Sequence, residues 1–430
     1  MKGQLKNTFI YLTFMLGCFP ILTFVMRSVF TIVWSVFGIY IFISQKKKLN
    51  LSLDILIFTL PYLLIVLSLF YSTNKEYGLG VLIQMLSFLI FPIIFYLNRD
   101  FFSKKKIYKI LDFFSFSVLI LVLFQVIEVL LNFDFVSSAI TLQEIKSNGY
   151  LSLNEISEDK IDQIKLRRFR NFIIKISNTH TTYQGLWISL SIFYLGLKSF
   201  ASEKKVTRII NIVVISIFIL WFYLISARMP FIALVFSLIL IILFFYKSTL
   251  KKKVSLLLIP LFILVALLSF KNPFSIRVKE YYNTGFSLLG ENSGANKFNS
   301  SNVRNGVYYC DLKLIKETPF FGVGLGDVQD SLDDCYQDYI NSKVYKWHIY
   351  NTHNQYAFFW IASGILGFIS FLSLIFINFV YSFKKKNILL FYLTSISMIV
   401  FFSENLLQRS DGVFFYCFFI SLLFFNNLKK

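Results

Sequence analysis

The sequence predicts an all-α, polytopic integral membrane protein with about twelve transmembrane helices and a large external loop between the ninth and tenth. Three observations carry that prediction. The 430 residues are 56% hydrophobic and 19% aromatic, with 53 Phe and a mean hydropathy of +0.66, a composition that a bilayer accommodates and a soluble core does not. Apolar windows long enough to span recur along the chain. Finally, the short connections between them alternate between Lys/Arg-rich and Lys/Arg-poor.

The windows fall at 8–25, 28–44, 52–71, 79–97, 107–131, 181–197, 207–226, 229–246, 254–270, 354–381, 388–403 and 412–428. The run after Met1-Lys2 lacks a small-residue cleavage site and leads straight into the second window, so it reads as a first span rather than a leader. One set of connections, with the two termini, holds 23 Lys/Arg, among them Lys46-Lys47-Lys48, Lys104-Lys105-Lys106, Lys251-Lys252-Lys253 and Lys384-Lys385-Lys386. The opposite short connections hold 4: Arg27, Lys75, Arg228 and Arg409. The positive-inside rule then puts both termini in the cytoplasm and leaves 132–180 and 271–353 as external loops. No repeat or linker divides the chain. It reads as a single membrane domain, 1–430, with 132–180 as the first long external loop, 271–353 as the large loop carrying the candidate chemistry and 354–430 as the last three transmembrane helices.

The net charge of +20 is therefore mainly a topology signal. The large loop balances 9 Lys/Arg against 9 Asp/Glu, so no polycation is present to hold nucleic acid. In the first loop, Ile161, Ile164, Phe169, Phe172, Ile173 and Ile176 share a helical face opposite Gln163, Arg167 and Arg170, while Lys165 and Arg168 interrupt it. An interfacial helix and a charged helix packed on the spans both fit.

All three His (His180, His348, His353) fall on the external side. His353 and His180 sit at polar-to-apolar boundaries, where a neutral imidazole suits proton abstraction from a sugar hydroxyl. An interfacial capping role is the plainer alternative. Arg228, Arg304 and Arg409 stand at outer membrane edges, and a guanidinium fork matches phosphate oxygens. Glu404 is a candidate structural partner for Arg409. Gly322-Val-Gly324-Leu-Gly326 lacks the strand–loop–helix context and Lys-Ser/Thr of a nucleotide loop and reads as a flexible turn. Cys310 and Cys335 share the large loop, so a disulfide and two free thiols both remain open. No His/Cys/Asp/Glu spacing suggests a metal.

Several segments together resemble the O-antigen ligase/polymerase superfamily of bacterial surface-polysaccharide enzymes. Asn351-Thr-His353-Asn354-Gln-Tyr356 is similar to its HN-x-hydrophobic box. Pro319-Phe-Phe-Gly322-Val-Gly324-Leu-Gly326 resembles its P-hydrophobic-G-x-G-x-G stretch, with Arg304 upstream. Ser226-Ala-Arg228, Leu69-Phe-Tyr71-Ser72 and Glu404-Asn-Leu-Leu-Gln-Arg409-Ser-Asp-Gly412 fit the same pattern. The resemblance implies metal-independent, cofactor-free inverting glycosyl transfer at the periplasmic face of the bacterial inner membrane. The donor would be a glycan on undecaprenyl pyrophosphate. The acceptor would be lipid A–core for a ligase, or a second lipid-linked repeat for an O-antigen or exopolysaccharide polymerase. His353 becomes the candidate catalytic base. Arg228, Arg304, Arg409, His180, Asn354 and Tyr356 become candidate substrate contacts. A polysaccharide flippase or other transporter is the rival of another class. It would place charges mid-span and show related halves, neither of which this sequence shows.

Overall fold

A computed structural model describes residues 2–46, 52–147, 152–247, 249–269 and 300–426, together with positions 48, 275, 282, 288 and 289. The large loop is thus described mainly from residue 300 on. Among the described residues the regular structure is all helical. The helices are α1 (Lys2–Gly17), α2 (Phe24–Ser44), α3 (Leu53–Ser68), α4 (Lys75–Gln84), α5 (Ser87–Leu97), α6 (Lys104–Leu131), α7 (Phe133–Ser137), α8 (Leu142–Ser147), α9 (Glu158–Ser177), α10 (Thr181–Ala201), α11 (Lys205–Leu224), α12 (Arg228–Phe244) and α13 (Leu250–Ser269). They continue as α14 (Ser300–Glu317), α15 (Val328–Cys335), α16 (Val344–Trp347), α17 (Gln355–Lys384), α18 (Ile388–Val400) and α19 (Ser410–Phe425).

Over the described residues, each of the twelve apolar windows lies mainly on helix. Six segments are long and apolar enough to cross a bilayer: Phe24–Ser44, Leu53–Tyr71, Lys75–Leu97, Lys104–Leu131, Lys205–Leu224 and Gln355–Lys384. Arg228–Phe244, Ile388–Val400 and Ser410–Phe425 are apolar but shorter. This is the architecture of a helical membrane protein. Its outer surface agrees: Val25, Val29, Ile32 and Val36 on α2, and Ile209, Ile212, Val213 and Leu220 on α11, are exposed, which lipid tolerates and water penalises.

The interior is built on aromatic packing around α19, which is apolar on all sides and buried on all of them. Phe91 meets Phe414 and Phe418 with ring centroids 4.9 and 5.4 Å apart, and Phe19 meets Phe414 at 4.8 Å and Trp187 at 5.2 Å. Several buried polar groups are paired across helices, as an apolar surround favours. The Trp34 indole donates to Thr13 Oγ1 at 2.9 Å. Gln125 donates to Gln184 and accepts from Trp221, each at 2.9 Å. Arg27, in the first turn of α2, pairs with Asp411 in the first turn of α19. That ion pair ties the two helices together at the end that carries the site.

Two interruptions shape that end. The 79–97 window breaks at Met85-Leu86 between α4 and α5. α17 kinks at Ser363-Gly364, where both residues leave helical geometry. The kink receives the stretch after α14. Val323 N–H donates to Ile361 O at 2.8 Å, Ile365 N–H donates to Pro319 O at 3.0 Å, and the Trp360 indole donates to Pro319 O at 3.0 Å.

Candidate active site

Short polar segments at the ends of apolar helices converge on one cavity of about 580 Å³. α9 ends at Asn178, whose left-handed backbone (φ 51) turns the chain into α10. His180 then caps α10, its Nδ1 accepting from Thr182 N–H at 3.3 Å. Ser226 (φ 48) makes the tight junction that starts α12 at Arg228. α14 supplies Arg304, and the loop before α17 supplies His353 in a left-handed conformation (φ 45). Glu404 and Arg409 come from the α18–α19 connection, and Ser410 and Asp411 from the first turn of α19.

His180, Arg228, Arg304, His353, Glu404 and Arg409 were all singled out in the sequence, and all six line this cavity. Residues 46 to 53 positions apart tie the segment around His353 to the end of α18 and the connection after it. Asn405 Nδ2 donates to Thr352 Oγ1 at 2.7 Å, Gln355 N–H donates to Phe401 O at 2.8 Å, and Leu407 N–H donates to Gln355 Oε1 at 2.8 Å. His353 N–H is held by Asn351 Oδ1 at 3.1 Å.

Asn354 and Tyr356 are placed elsewhere. The Asn354 side chain caps α17, accepting from the N–H groups of Tyr356 and Ala357 at 2.9 and 3.2 Å. Tyr356 is buried and donates its hydroxyl to Met398 O at 2.9 Å. Both therefore set the position of the helix that follows His353, and neither lines the cavity.

The electrostatics are those of a cationic pocket with neutral imidazoles. Burial lowers the His353 pKa to about 4, helped by Arg304, Arg409 and His180. Burial also lowers His180 to about 4, with Arg170 and Arg409 adding to it; its edge opens on the cavity, but the walls enclose it. Burial pushes the Glu404 carboxyl up, against the downward pull of Arg304, Arg170 and Arg409. Arg304 lies 3.6 Å from Glu404, and Asp411 is already paired with Arg27. Among the described residues lining the cavity, Arg170, Arg228, Arg304 and Arg409 thus stand with two carboxyls, Glu404 and Asp411.

Arg170 and Asp411 were not among the residues nominated from sequence. Arg170 comes from α9 and donates to Thr181 Oγ1 at 2.7 Å. The available signal was its place opposite the apolar face of α9. For Asp411 it was its position two residues beyond Arg409. His348 does not line the cavity; its ring lies 6.2 Å from that of Tyr350.

The glycine-rich stretch is not the flexible turn expected of it. It is docked backbone. Leu325 N–H donates to Ser68 Oγ at 3.1 Å and Gly326 N–H to Ser72 Oγ at 3.0 Å. The Asp327 carboxylate accepts from the N–H groups of Thr73 and Asn74 at 2.8 Å each. A Cβ on Gly326 would sit 2.2 Å from Asn74 O, so only glycine permits the approach. Cys310 and Cys335 are joined in a disulfide linking α14 to α15, with Cα atoms 5.8 Å apart. Arg304 is thus carried on a helix fixed by a covalent bond and, through α15, by the docked stretch. Among the described residues no group of three or more His, Cys, Asp and Glu is arranged to hold a metal ion.

No curated protein matches this chain. A family model described as O-antigen ligase matches residues 212–372, which run from α11 through Arg228, Arg304 and His353 into α17. The resemblance read from the motifs is borne out over that segment.

Proposed function

We propose that the protein is an inverting glycosyltransferase of the O-antigen ligase type, working at the periplasmic face of a bacterial inner membrane. It moves a glycan from undecaprenyl pyrophosphate to a sugar hydroxyl of lipid A–core. The observation that carries this reading is one cavity in which four arginines surround an uncharged His353. An uncharged imidazole can take a proton, and the arginines suit a diphosphate leaving group.

In the proposed step His353 accepts the proton of the acceptor hydroxyl. The acceptor oxygen bonds to the anomeric carbon as the bond from that carbon to the pyrophosphate oxygen breaks. The electron pair leaves on the pyrophosphate, where Arg228, Arg304 and Arg409 stabilise the developing charge, and Arg170 stands beside them. A single displacement inverts the anomeric centre. His353 then releases its proton to water. His180, which lines the same cavity, orients substrate. An enclosed cationic site also enriches an anionic lipid headgroup at the membrane surface.

The test is the surface-glycan profile of a deletion strain rescued with wild type or His353→Ala. A ligase leaves lipid A–core bare and lipid-linked polymer accumulated in the deletion, and wild type restores the ladder. His353→Ala should reach the membrane at normal levels yet lose about 10²–10⁴ in transfer rate. A single repeat on core without a ladder would instead identify a polymerase. Unchanged lipopolysaccharide would remove the lipid A–core acceptor.

A further inference from the structure

Two phenylalanines of the large loop project where that loop meets two spanning helices. The last turn of α14 is charged, with Lys313, Lys316 and Glu317, and the chain then changes abruptly to Pro319-Phe320-Phe321-Gly322. Phe320 is 70% exposed and Phe321 73%. The tip they occupy is nevertheless firmly held. Val323 N–H donates to Ile361 O, Ile365 N–H and the Trp360 indole donate to Pro319 O, and the Tyr71 hydroxyl donates to Phe321 O. A Cβ on Gly322 would lie 2.3 Å from Ile361 O, and one on Gly364 2.0 Å from Phe320 O, so the two backbones are in contact. Each of these bonds uses a backbone atom of the tip. Docking therefore requires neither phenyl ring, and both are left facing outward.

Two helices fix the height of the tip. α17 carries Ile361 and Ile365 and ends at Lys384, with Lys385 and Lys386 after it. α3 starts beside Asp54 and leads to Tyr71. The far ends of these helices lie together, because Tyr381 of α17 and Phe58 of α3 both pack on Phe424, with ring centroids 4.3 and 4.6 Å away. At 1.5 Å per residue, Ile361 stands about 34 Å from Lys384, and Tyr71 about 25 Å from Asp54. A hydrocarbon core of about 30 Å then has its outer boundary between those two heights, at the level of the tip. Neighbouring positions are apolar and exposed as well: Leu67 and Phe70 along the α3 side, Leu366 and Ile369 along α17. Water penalises such a surface, whereas aromatic rings are favoured at the edge of a bilayer.

We propose that Phe320 and Phe321 are a membrane anchor. The tip does not span; its two rings enter the acyl chains of the outer leaflet at the seam between α3 and α17, while Lys313, Lys316 and Glu317 stay at headgroup level. α14 then runs from the cavity, where it carries Arg304, to a foothold in the lipid. Insertion of the tip is independent of the glycosyl-transfer reading and depends only on α3 and α17 crossing the bilayer.

The test measures depth. The full-length protein with Cys18→Ser is labelled with bimane at Phe321→Cys and reconstituted into vesicles of phosphatidylethanolamine and phosphatidylglycerol. Buried Cys417 and the Cys310–Cys335 bond leave the introduced thiol as the reactive one. Emission is quenched either by lipids with a nitroxide high on the acyl chain or by iodide present on both faces. Ile369→Cys is the lipid-facing reference, and Lys385→Cys, exposed beyond the end of α17, the water-facing one. At Phe321→Cys the nitroxide should remove at least about half of the emission and iodide less than about a tenth, as at Ile369→Cys and opposite to Lys385→Cys. Phe320→Cys should give the same pattern, so either variant can decide if the other fails to fold. Quenching of both labels by iodide and not by lipid would overturn the anchor. Quenching by neither would overturn it too, since another protein surface would then cover the tip. If Ile369→Cys itself meets iodide, α17 does not cross at that level and the anchor falls with it.

Discussion

His353 is kept unprotonated by its burial and by Arg304 and Arg409, and the sign of the resulting pH dependence can be worked out. With the pKa lowered to about 4, the base form is fully present at neutral pH and is lost only as pH falls through about 4. A bound diphosphate adds negative charge beside the ring and neutralises part of the arginine field, and both effects raise the pKa. The acid limb of kcat, which reports the complex, should therefore lie at higher pH than the acid limb of kcat/KM, which reports the free enzyme. Steady-state rates between pH 3 and 8 with a soluble donor analogue check this. Coincident limbs would take His353 out of the role of base. Arg304→Lys tests the fork in the same assay. A point charge cannot reproduce two parallel N–H bonds to a phosphate, so kcat/KM should fall at least tenfold, about 1.4 kcal/mol. Wild-type behaviour would mean that Arg304 supplies charge alone. Of the six cavity residues legible in the sequence, five sat where a polar segment meets an apolar one, and Arg304 stood upstream of the glycine-rich stretch. Arg170 did not, because α9 carries five other cations and nothing local marks the one that faces His180.

At the scale of elements, the decisive contact is between stretches some 250 residues apart. Ser68 to Asn74 offers two hydroxyls and two N–H groups, and Leu325 to Asp327 answers with two N–H groups and a carboxylate. Sequence could mark the glycines as unusual but not show what approached them, because the partner lies at the far end of α3. Read locally, they looked like freedom; in the fold they are close approach. Gly326→Ala should destabilise by about 1–3 kcal/mol, since its new methyl meets backbone that cannot swing away. Asp327→Ala should cost about as much by stranding the Thr73 and Asn74 donors. Gly80→Ala is the control: it lies inside α4, with nothing within 4 Å of an added Cβ, so it should be neutral or stabilising by about 0.5–1 kcal/mol. Thermal unfolding of the three variants in one detergent checks the order. A Gly326→Ala protein as stable as Gly80→Ala would mean that the docked stretch yields easily.

For the whole molecule, hydropathy located the helices because lipid forces each spanning segment to satisfy its own backbone. It missed the break at Met85-Leu86 and the kink at Ser363-Gly364. Those come from tertiary docking, and their residues remain apolar on either side. The orientation rests on charge alone, and it makes a parity argument that can be tested. Asn178 and Lys385 are both exposed, and five predicted spans separate them, an odd number that puts them on opposite faces. With Asn178→Cys, an impermeant thiol reagent should label intact spheroplasts; with Lys385→Cys, label should appear only after the membrane is opened. With the half-buried free thiol removed by Cys18→Ser, buried Cys417 and the Cys310–Cys335 bond keep the background low. Label on both positions from outside would mean that one of the five segments does not cross. The weakest is α12, whose 17 residues reach only about 25 Å at 1.5 Å per residue, against a hydrocarbon core of about 30 Å. Opposite labelling would therefore place Arg228, at the outer end of that short helix, below the bilayer surface, within reach of a pyrophosphate that a lipid tail holds at the same depth.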